Sequence, residues 1–233
     1  MRRPHCIARQ ARRASGILGY IVAQVMAKET APENALALDL LDLASGDRIL
    51  EVGCGHGATL FAAASRACDL KLTGVDHSEV MLRVARRRNR HLVATGRMTL
   101  DHGDSACLCY DDGTFTKVFA VHTIYFWPQP EVHLREIQRV LMPGGRFVLG
   151  FQSREDTTFS AQFPAAVYHI RPAADVAALV AASGFDQVRT QSRLVNARLM
   201  TWVIARKASG GPDAYAATTA INQAAVASPP RPL

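Results

Sequence analysis

The sequence lacks the features that mark several classes of protein. Its 233 residues contain no apolar run of the roughly 18 residues that a membrane-spanning helix needs. Its five cysteines form no Cys-x-x-Cys pair, so neither a zinc ribbon nor a thioredoxin-like motif is indicated. The apolar segment after the N-terminal arginines has no convincing cleavage site, which argues against export. We therefore expect a protein of the reducing cytoplasm that holds no structural metal.

Acidic residues are missing from the first 28 residues, which carry six of the 27 lysines and arginines. The other 205 residues hold 21 basic and 20 acidic residues, a net charge of +1, although the whole chain has +7. The basic charge therefore belongs to an N-terminal arm. The arginine-rich stretch over 83–90 has no interleaved aromatic residues and is interpreted as a solvated helix face. We expect no nucleic-acid partner, with RNA or protein methylation through the arm as an alternative.

Strand-like and helix-like segments alternate along most of the chain, which predicts a three-layer α/β fold with a mostly parallel sheet. Two helices are expected first, the second opening at Pro32. A polar, broken stretch over 152–171 predicts no core element, and a helix follows Pro172. Two closing strands joined by a short link predict an antiparallel hairpin. The predicted strands are 48–52, 71–76, 98–102, 117–121, 146–151, 187–194 and 199–206, and the central helices are 59–67, 78–90 and 128–141.

Three alternate glycines follow the first strand in Glu51-Val52-Gly53-Cys54-Gly55-His56-Gly57. Glycine lets the backbone turn sharply and approach a ligand closely. Asp76 ends the second strand, where a carboxylate can accept hydrogen bonds from both hydroxyls of a ribose. Gly103-Asp104-Ser105 follows the third strand. An NAD-dependent oxidoreductase would share these features, but the chain has no Tyr-x-x-x-Lys motif and no second substrate domain.

These motifs resemble class I S-adenosylmethionine-dependent methyltransferases, in the small-molecule branch that includes the ubiquinone and menaquinone C-methyltransferases. The resemblance covers about 36–207 and also rests on Glu136-Ile137-x-Arg139-Val140-Leu141-x-Pro143-Gly144-Gly145-Arg146. It implies a Rossmann-like seven-stranded sheet in the order 3-2-1-4-5-7-6, with strand 7 antiparallel. This chain has Phe115-Thr116-Lys117 where the family usually carries Phe-Asp. We divide the chain into an arm and cap helix (1–31), a methyltransferase domain (32–207) and an Ala/Pro-rich, disordered tail (208–233).

The resemblance also implies where S-adenosylmethionine binds. Glu51 and the glycine turn would lie near its methionine part, Asp76 would hold the ribose, and Asp104 and Ser105 would lie at the adenine. His56 is expected to supply only its backbone N–H. The full predicted cofactor-binding set is Glu51, Gly53, Cys54, Gly55, Gly57, Asp76, His77, Met81, Gly103, Asp104, Ser105 and His122.

We expect the residues that bind the methyl acceptor to come from the end of strand four, the loop after strand five and the N-terminal helices. A sulfonium methyl is already activated, so a base is needed only where the acceptor must lose a proton. His122 and Tyr125 are the candidate catalytic residues, with a purely structural role for His122 as the alternative. We expect Trp127 to pack in the core and Tyr125 to be open. The predicted substrate pocket, which favours an apolar or planar acceptor, contains Tyr20, Met26, Tyr125, Phe151 and Tyr168.

The absence of further sequence motifs narrows the possible classes of methyl acceptor. No Asn/Asp-Pro-Pro-Tyr/Phe run is present for amino groups of adenine or glutamine, and no Pro-Cys dipeptide for cytosine. Strand four ends without an acid, so no divalent metal is predicted. The sequence thus predicts methyl transfer to O, N or C of a small, fairly apolar metabolite, with the arm's helix as a lid. A non-catalytic protein that retains the fold remains a further alternative.

Overall fold

Seven strands form one sheet in the order β3-β2-β1-β4-β5-β7-β6. The computed structural model describes residues 30–163 and 166–209, so the predicted arm helix, Tyr20, Met26 and most of the C-terminal tail lie outside the described residues. The elements are α1 (30–41), β1 (Arg48–Val52), α2 (Ala58–Ala63), β2 (Lys71–Asp76), α3 (Glu79–Arg88), α4 (Arg90–Ala94), β3 (Met98–His102), β4 (Phe115–Val121), a 3-10 turn (Ile124–Phe126), α5 (Pro130–Val140), β5 (Leu141–Gln152), α6 (Thr157–Gln162), α7 (Ala173–Ala182), β6 (Phe185–Val195) and β7 (Arg198–Lys207).

Strands β1 to β5 pair in parallel, and β7 runs antiparallel between β5 and β6. The predicted strand order and the closing hairpin are therefore confirmed. The chain moves outward from β1 to β3 and then returns to β4 on the other side of β1. That reversal opens a crevice at the carboxyl ends of β1 and β4, where ligands of open α/β sheets bind.

Two apolar clusters cover the two faces of the sheet, as alternation along the strands requires. In β4, Val118 belongs to one cluster and its neighbour Phe119 to the other. Helices α5 and α7 complete the first cluster, while α1, α2 and α3 complete the second. The predicted three-layer fold is confirmed. Among the described helices, none is both long and apolar enough to cross a bilayer.

The fifth strand was predicted over 146–151, but it begins before Pro143-Gly144-Gly145. Strand β5 already pairs with β4 at Leu141, and the register then shifts between Phe115 and Lys117. The extra residues form an irregularity in the ladder, in which Gly144 adopts φ 75°. An irregularity of this kind keeps both flanking segments in one strand.

The prediction that 152–171 contains no core element is also wrong. Helix α6 lies within this stretch, capped by Asp156, whose carboxylate accepts a hydrogen bond from the backbone N–H of Phe159 at 3.0 Å. Phe159 and Tyr168 are both buried. Their apolar rings join the core although they show no helical or strand period.

Two helix boundaries differ from those predicted. Helix α2 ends at Ala63, and the predicted helix over 78–90 divides at Asn89 into α3 and α4. The Asn89 side-chain amide donates to the backbone oxygens of Gly57 and Ala85, at 3.1 and 2.9 Å. A side chain that binds backbone carbonyls in this way favours the end of a helix.

Thr116 stands where the family usually has an acid, and it keeps the local structure through hydrogen bonds. Its hydroxyl donates to Asp47 Oδ1 at 2.7 Å and accepts from the backbone N–H of Arg48 at 3.0 Å. These bonds join the start of β4 to the start of β1.

Candidate active site

A cavity of about 770 Å³ lies at the carboxyl ends of β1, β2 and β4. Helix α1 and the segment after β5 also contribute to its walls. The cavity coincides with the reversal of strand order described above, and its size is typical of a site for a small molecule.

The glycine turn forms one end of this cavity. Gly53 and Gly55 adopt φ values of 76° and 50°, which favour glycine. The backbone N–H groups of Gly53 and Cys54 both donate to the carbonyl oxygen of Val75, at 2.8 and 3.1 Å. The turn is therefore fastened to the end of β2, directly beside Asp76.

Asp76 is 9% exposed and fastens two turns at once. Its Oδ2 accepts a hydrogen bond from the backbone N–H of Gly55, and its Oδ1 accepts one from that of Ser78, both at 2.8 Å. A carboxylate oxygen can accept more than one hydrogen bond. Asp76, which lines the cavity, therefore retains the capacity to bind a diol such as that of a ribose.

Glu51 carries a buried carboxyl group at the end of β1. Burial raises its pKa well above the usual range, and the charge of Asp76 adds to the effect. Its Oε2 has no hydrogen-bond partner among the described residues. An orphaned acidic oxygen at a cavity wall suits a cationic ligand, so this end of the cavity fits the sulfonium cofactor that the sequence resemblance implies.

The loop after β3 contributes Gly103, Asp104 and Ser105 to the cavity wall. Asp104 accepts a hydrogen bond from the backbone N–H of Ala106 at 2.9 Å, while 72% of its side chain stays exposed. Ser105 Oγ lies 2.8 Å from His133 Nδ1. His133, on α5, was not predicted for the site because no motif marks it.

The His133 ring stacks on Trp127, with centroids 4.8 Å apart and planes at 8°. Burial lowers the pKa of His133, which favours the neutral ring. Trp127 is 4% exposed, as a packing role requires. Ser105, His133 and Trp127 thus offer hydroxyl, imidazole and apolar surface at one wall, which suits a heteroaromatic base.

His122 lies at the exit of β4 with φ 59°, and its backbone N–H donates to the Gly150 carbonyl at 2.8 Å. Its Nε2 is in close contact with the carboxylate of Glu33. Its Nδ1 is 3.3 Å from the hydroxyl of Tyr125, which accepts a hydrogen bond from the backbone N–H of Gln152 at 2.5 Å. His122 is therefore held from both ring nitrogens.

The prediction that Tyr125 is open is wrong, since only 2% of it is exposed. Its ring lies under Phe159 and Tyr168, with centroid distances of 5.3 and 5.6 Å. It still forms part of the cavity wall. Burial raises the pKa of the phenol well above the usual range, so the hydroxyl keeps its proton at neutral pH.

Glu33 was missed by the sequence analysis. It is fully buried on α1, and its Oε1 lies 3.7 Å from Arg198 Nη1. Ala37 and Leu41 follow at intervals of four residues and are buried on the same face. An acid on the apolar stripe of an amphipathic helix was the signal that would have found it.

The acceptor end of the cavity is lined by aromatic rings. Phe163 and Tyr168 have centroids 4.5 Å apart, as do Phe159 and Phe163, and Phe126 lies 4.9 Å from Tyr168. Gln152 and Asp156 add polar groups to this wall. Such a lining suits a planar or apolar molecule that carries a few polar atoms.

The cavity brings together most of the predicted site residues. Gly57 is an exception, since a Cβ there would lie 2.6 Å from Asn89 Nδ2, and this glycine serves the packing of α2 against α3. Phe151 is the other, because it packs in the core and its neighbour Gln152 lines the cavity instead. The predicted residues in the lining are Glu51, Gly53, Cys54, Gly55, Asp76, His77, Met81, Gly103, Asp104, Ser105, His122, Tyr125 and Tyr168.

Comparison with known proteins agrees with this geometry. The family described as "Methyltransferase domain" matches residues 50–149. The uncharacterized methyltransferase YdaC of Bacillus subtilis is 33% identical over 139 residues, covering 60% of this chain and 72% of the relative. This chain belongs to the methyltransferase domain family.

Two further relatives match shorter parts of their own sequences. The putative methyltransferase YrhH of Bacillus subtilis is 33% identical over 118 residues, which are 51% of this chain and 64% of that protein. The demethylmenaquinone methyltransferase of Symbiobacterium thermophilum is 44% identical over 107 residues, which are 44% of this chain and 41% of the relative. The residues that match the family description, 50–149, run from β1 into β5.

Solved structures share the fold at low sequence identity. The [4+2]-cyclase SpnF superposes with a TM-score of 0.68 at 20% identity, covering 77% of this chain and 82% of SpnF. Phosphoethanolamine N-methyltransferase 2 of Haemonchus contortus superposes with a TM-score of 0.63 at 19% identity, covering 76% of this chain and 52% of that one. These likenesses concern the fold alone.

Proposed function

We propose that this methyltransferase-family protein transfers the methyl group of S-adenosylmethionine to a small, fairly apolar acceptor. The observation that carries the proposal is one cavity in which Glu51, the glycine turn and Asp76 adjoin an aromatic end. The end of the cavity formed by Glu51, the glycine turn and Asp76 presents carboxyl oxygens and the backbone of the turn. It lies where the strand order of the sheet reverses. The aromatic end offers apolar walls beside His122 and Tyr125.

The residues of the cavity would hold the cofactor at three places. The carboxyl of Glu51 lies where a cationic group would satisfy its orphaned oxygen. Asp76 would bind the ribose hydroxyls, and Ser105 with its neighbours would bind the adenine. When bound, S-adenosylmethionine supplies a methyl group on a positively charged sulfur.

The acceptor end would position the nucleophile and exclude water, which are the main contributions that a protein makes to this reaction. The rings of Phe159, Phe163 and Tyr168 would hold a planar or apolar body. His122 and Tyr125 would contact the reacting group of the acceptor and remove a proton where the acceptor must lose one.

The experiment is a pair of calorimetric titrations followed by a transfer assay. We expect S-adenosylhomocysteine to bind and NADH not to bind. Asp76→Ala should weaken that binding at least about tenfold, because it removes hydrogen bonds to a charged acceptor. Asp186→Ala, an exposed acid on β6, is the matched control. Tight NADH binding without S-adenosylhomocysteine binding would refute the proposal.

The transfer assay uses methyl-labelled S-adenosylmethionine with fractionated metabolites of the host, and the labelled product is then identified. We expect the label in a small molecule. Label in RNA or protein would show instead that the arm selects a macromolecular acceptor. Binding without any transfer would indicate that the fold serves another activity.

A further inference from the structure

Glu33, His122 and Tyr125 form a continuous chain of contacts from the buried face of α1 to the acceptor end of the cavity. We propose that this chain accepts a proton during methyl transfer, and that the acceptor therefore presents a hydroxyl group that is protonated at neutral pH. The inference rests on the proposed function and adds the acceptor's reacting group and a positioning role for Glu33.

The contacts suggest which nitrogen of His122 carries the proton. An ionised Glu33 can only accept hydrogen bonds, so we assign the proton of the neutral His122 ring to Nε2, the nitrogen that contacts Glu33. Nδ1 of the neutral ring then has a lone pair directed at Tyr125. The Tyr125 oxygen already accepts the Gln152 N–H and is free to donate its own proton. Every donor in the chain thus faces an acceptor.

The chain runs in the direction that a proton must travel. The acceptor oxygen forms a bond to the methyl carbon as the carbon–sulfur bond breaks, and the electron pair of that bond remains on sulfur. The hydroxyl proton of the acceptor passes to the Tyr125 oxygen while the proton of Tyr125 passes to His122 Nδ1. The resulting imidazolium is stabilised by the Glu33 carboxylate, as in other oriented histidine bases.

The surroundings of the chain favour a functional role for Glu33. Taking a carboxylate out of water costs several kcal/mol unless it is paired, and the buried Glu33 carboxylate pairs with His122 Nε2 and, at 3.7 Å, with Arg198 Nη1 of β7. Asp156 and Tyr168 face Tyr125 from the segment after β5. The Glu33 carboxylate contacts Nε2 of His122, while Tyr125 contacts Nδ1.

The class of acceptor follows from when the proton must leave. A neutral amine attacks with its lone pair and can release its proton to water afterwards. A hydroxyl oxygen becomes a competent nucleophile only as its proton is removed. A buried carboxylate behind a histidine is useful in the second case, because it stabilises the imidazolium during transfer.

The first test needs no acceptor and uses nitrogen NMR of the full chain with ¹⁵N-labelled histidine. The His122 signal is assigned by its loss in His122→Asn. We expect the proton on Nε2, and we expect Glu33→Gln to change the ¹⁵N chemical shifts of the His122 ring, because the carboxylate that accepts its N–H is lost. Glu79→Gln, an exposed acid on α3, should change neither. A proton on Nδ1, or unchanged ¹⁵N shifts of the His122 ring in Glu33→Gln, would overturn the proposal.

The second test uses ¹³C-methyl S-adenosylmethionine and metabolite fractions, and reads the carbon chemical shift of the transferred methyl. We expect a methoxy product, and an N-methyl or C-methyl product would overturn the inference while leaving the proposed function intact. Loss of S-adenosylhomocysteine binding in the wild type would instead refute the proposed function, and the NMR result would still decide the pairing of Glu33 and His122.

Kinetic measurements then distinguish two roles of Glu33, the positioning of His122 and the anchoring of helix α1. Glu33→Gln should lower kcat about 10²-fold or more with KM little changed, and should move the acidic limb of the pH profile to lower pH. Glu33→Asp should restore part of both. A variant that changes KM and folding stability without moving the pH profile would show that Glu33 only anchors the helix.

Discussion

Gly53 lies so close to Thr123 that a Cβ atom on the glycine would be 2.5 Å from Thr123 Cγ2. The contact joins the turn after β1 to the segment after β4, across the crevice where the sheet changes direction. The absence of a side chain at Gly53 therefore allows the two walls of the candidate cofactor site to approach each other.

Gly53→Ala should destabilise the protein by about 1–3 kcal/mol and weaken S-adenosylhomocysteine binding, because the new methyl group strains both walls. Chemical denaturation and calorimetry measure the two effects. Gly46→Ala is a matched control, since Gly46 also has a positive φ, of 80°, but no atom within 4 Å of a Cβ there. Thr123→Ser removes the clashing methyl and should restore binding to Gly53→Ala. Equal losses of binding in the two glycine variants would contradict this explanation.

The sequence predicted the elements that have a strong local signal. Strands β1, β2 and β3 occur at the predicted bounds because each is a short apolar segment between turn residues. The helix predicted from position 78 begins there, capped by Ser78, whose hydroxyl accepts a hydrogen bond from the backbone N–H of Met81 at 3.4 Å. The glycines were predictable because a sharp turn at a strand end needs them. Asp76 was proposed for ribose binding from its place at the end of the second strand, and that role stays a prediction.

The parts that were missed depend on contacts distant in sequence. Glu33 meets His122 across 89 positions, and nothing near Glu33 in the sequence announces that contact. His133 reaches Ser105 from a helix 28 positions away. Tyr125 was expected to be open because the rings that bury it lie in a segment without periodicity. The geometry of the acceptor side thus depends on contacts between residues distant in sequence. The geometry of the cofactor side depends largely on residues that are close together in sequence.

Glu51→Gln should change the stability of the protein and its binding of S-adenosylhomocysteine in opposite directions. Because the pKa of Glu51 in the folded protein lies above its ordinary value of 4.5, the group opposes folding increasingly as pH rises from that value towards the raised pKa. The variant should therefore be more stable than the wild type at neutral pH, with a difference that disappears near pH 4. It should also bind S-adenosylhomocysteine less tightly, because a charged partner for the ligand's ammonium is lost. Thermal unfolding at several pH values and calorimetry test both statements. An unchanged stability difference across this pH range would contradict the assignment.

His56 should make the protein acid-sensitive. Burial lowers its pKa from 6.5 to about 4, and the charge of Arg88 contributes. A histidine with a lowered pKa stabilises the fold above pH 6.5 and loses that contribution as pH falls towards 4. His56→Gln should lose less stability over this interval, by on the order of 2 kcal/mol after allowance for partial exposure. His91→Gln, at an exposed position on α4, should behave as the wild type does. Parallel stability curves for His56→Gln and the wild type would refute the role of this residue.

Arg139 supports the loop that leads away from the site after β3. Its guanidinium donates to the carbonyl oxygens of Leu108 and Tyr110, both at 2.8 Å, and to both oxygens of Glu136 at 2.9 Å. The hydrogen bond from Arg139 lowers the pKa of Glu136, whose carboxylate accepts the backbone N–H of Leu108 at 2.8 Å. The sequence motif that contains both residues is thus a loop clamp.

Arg139→Met keeps the length of the side chain and removes all its donors. It should lower the free energy of unfolding by about 2–4 kcal/mol, because two loop carbonyls and a partly buried carboxylate lose their partner. Arg135→Met, at an exposed position on the same helix, should change stability by less than about 0.5 kcal/mol. Hydrogen exchange should show faster exchange of the Leu108 amide in the first variant alone. If both variants are equally stable, the clamp contributes nothing, and the motif must have another function.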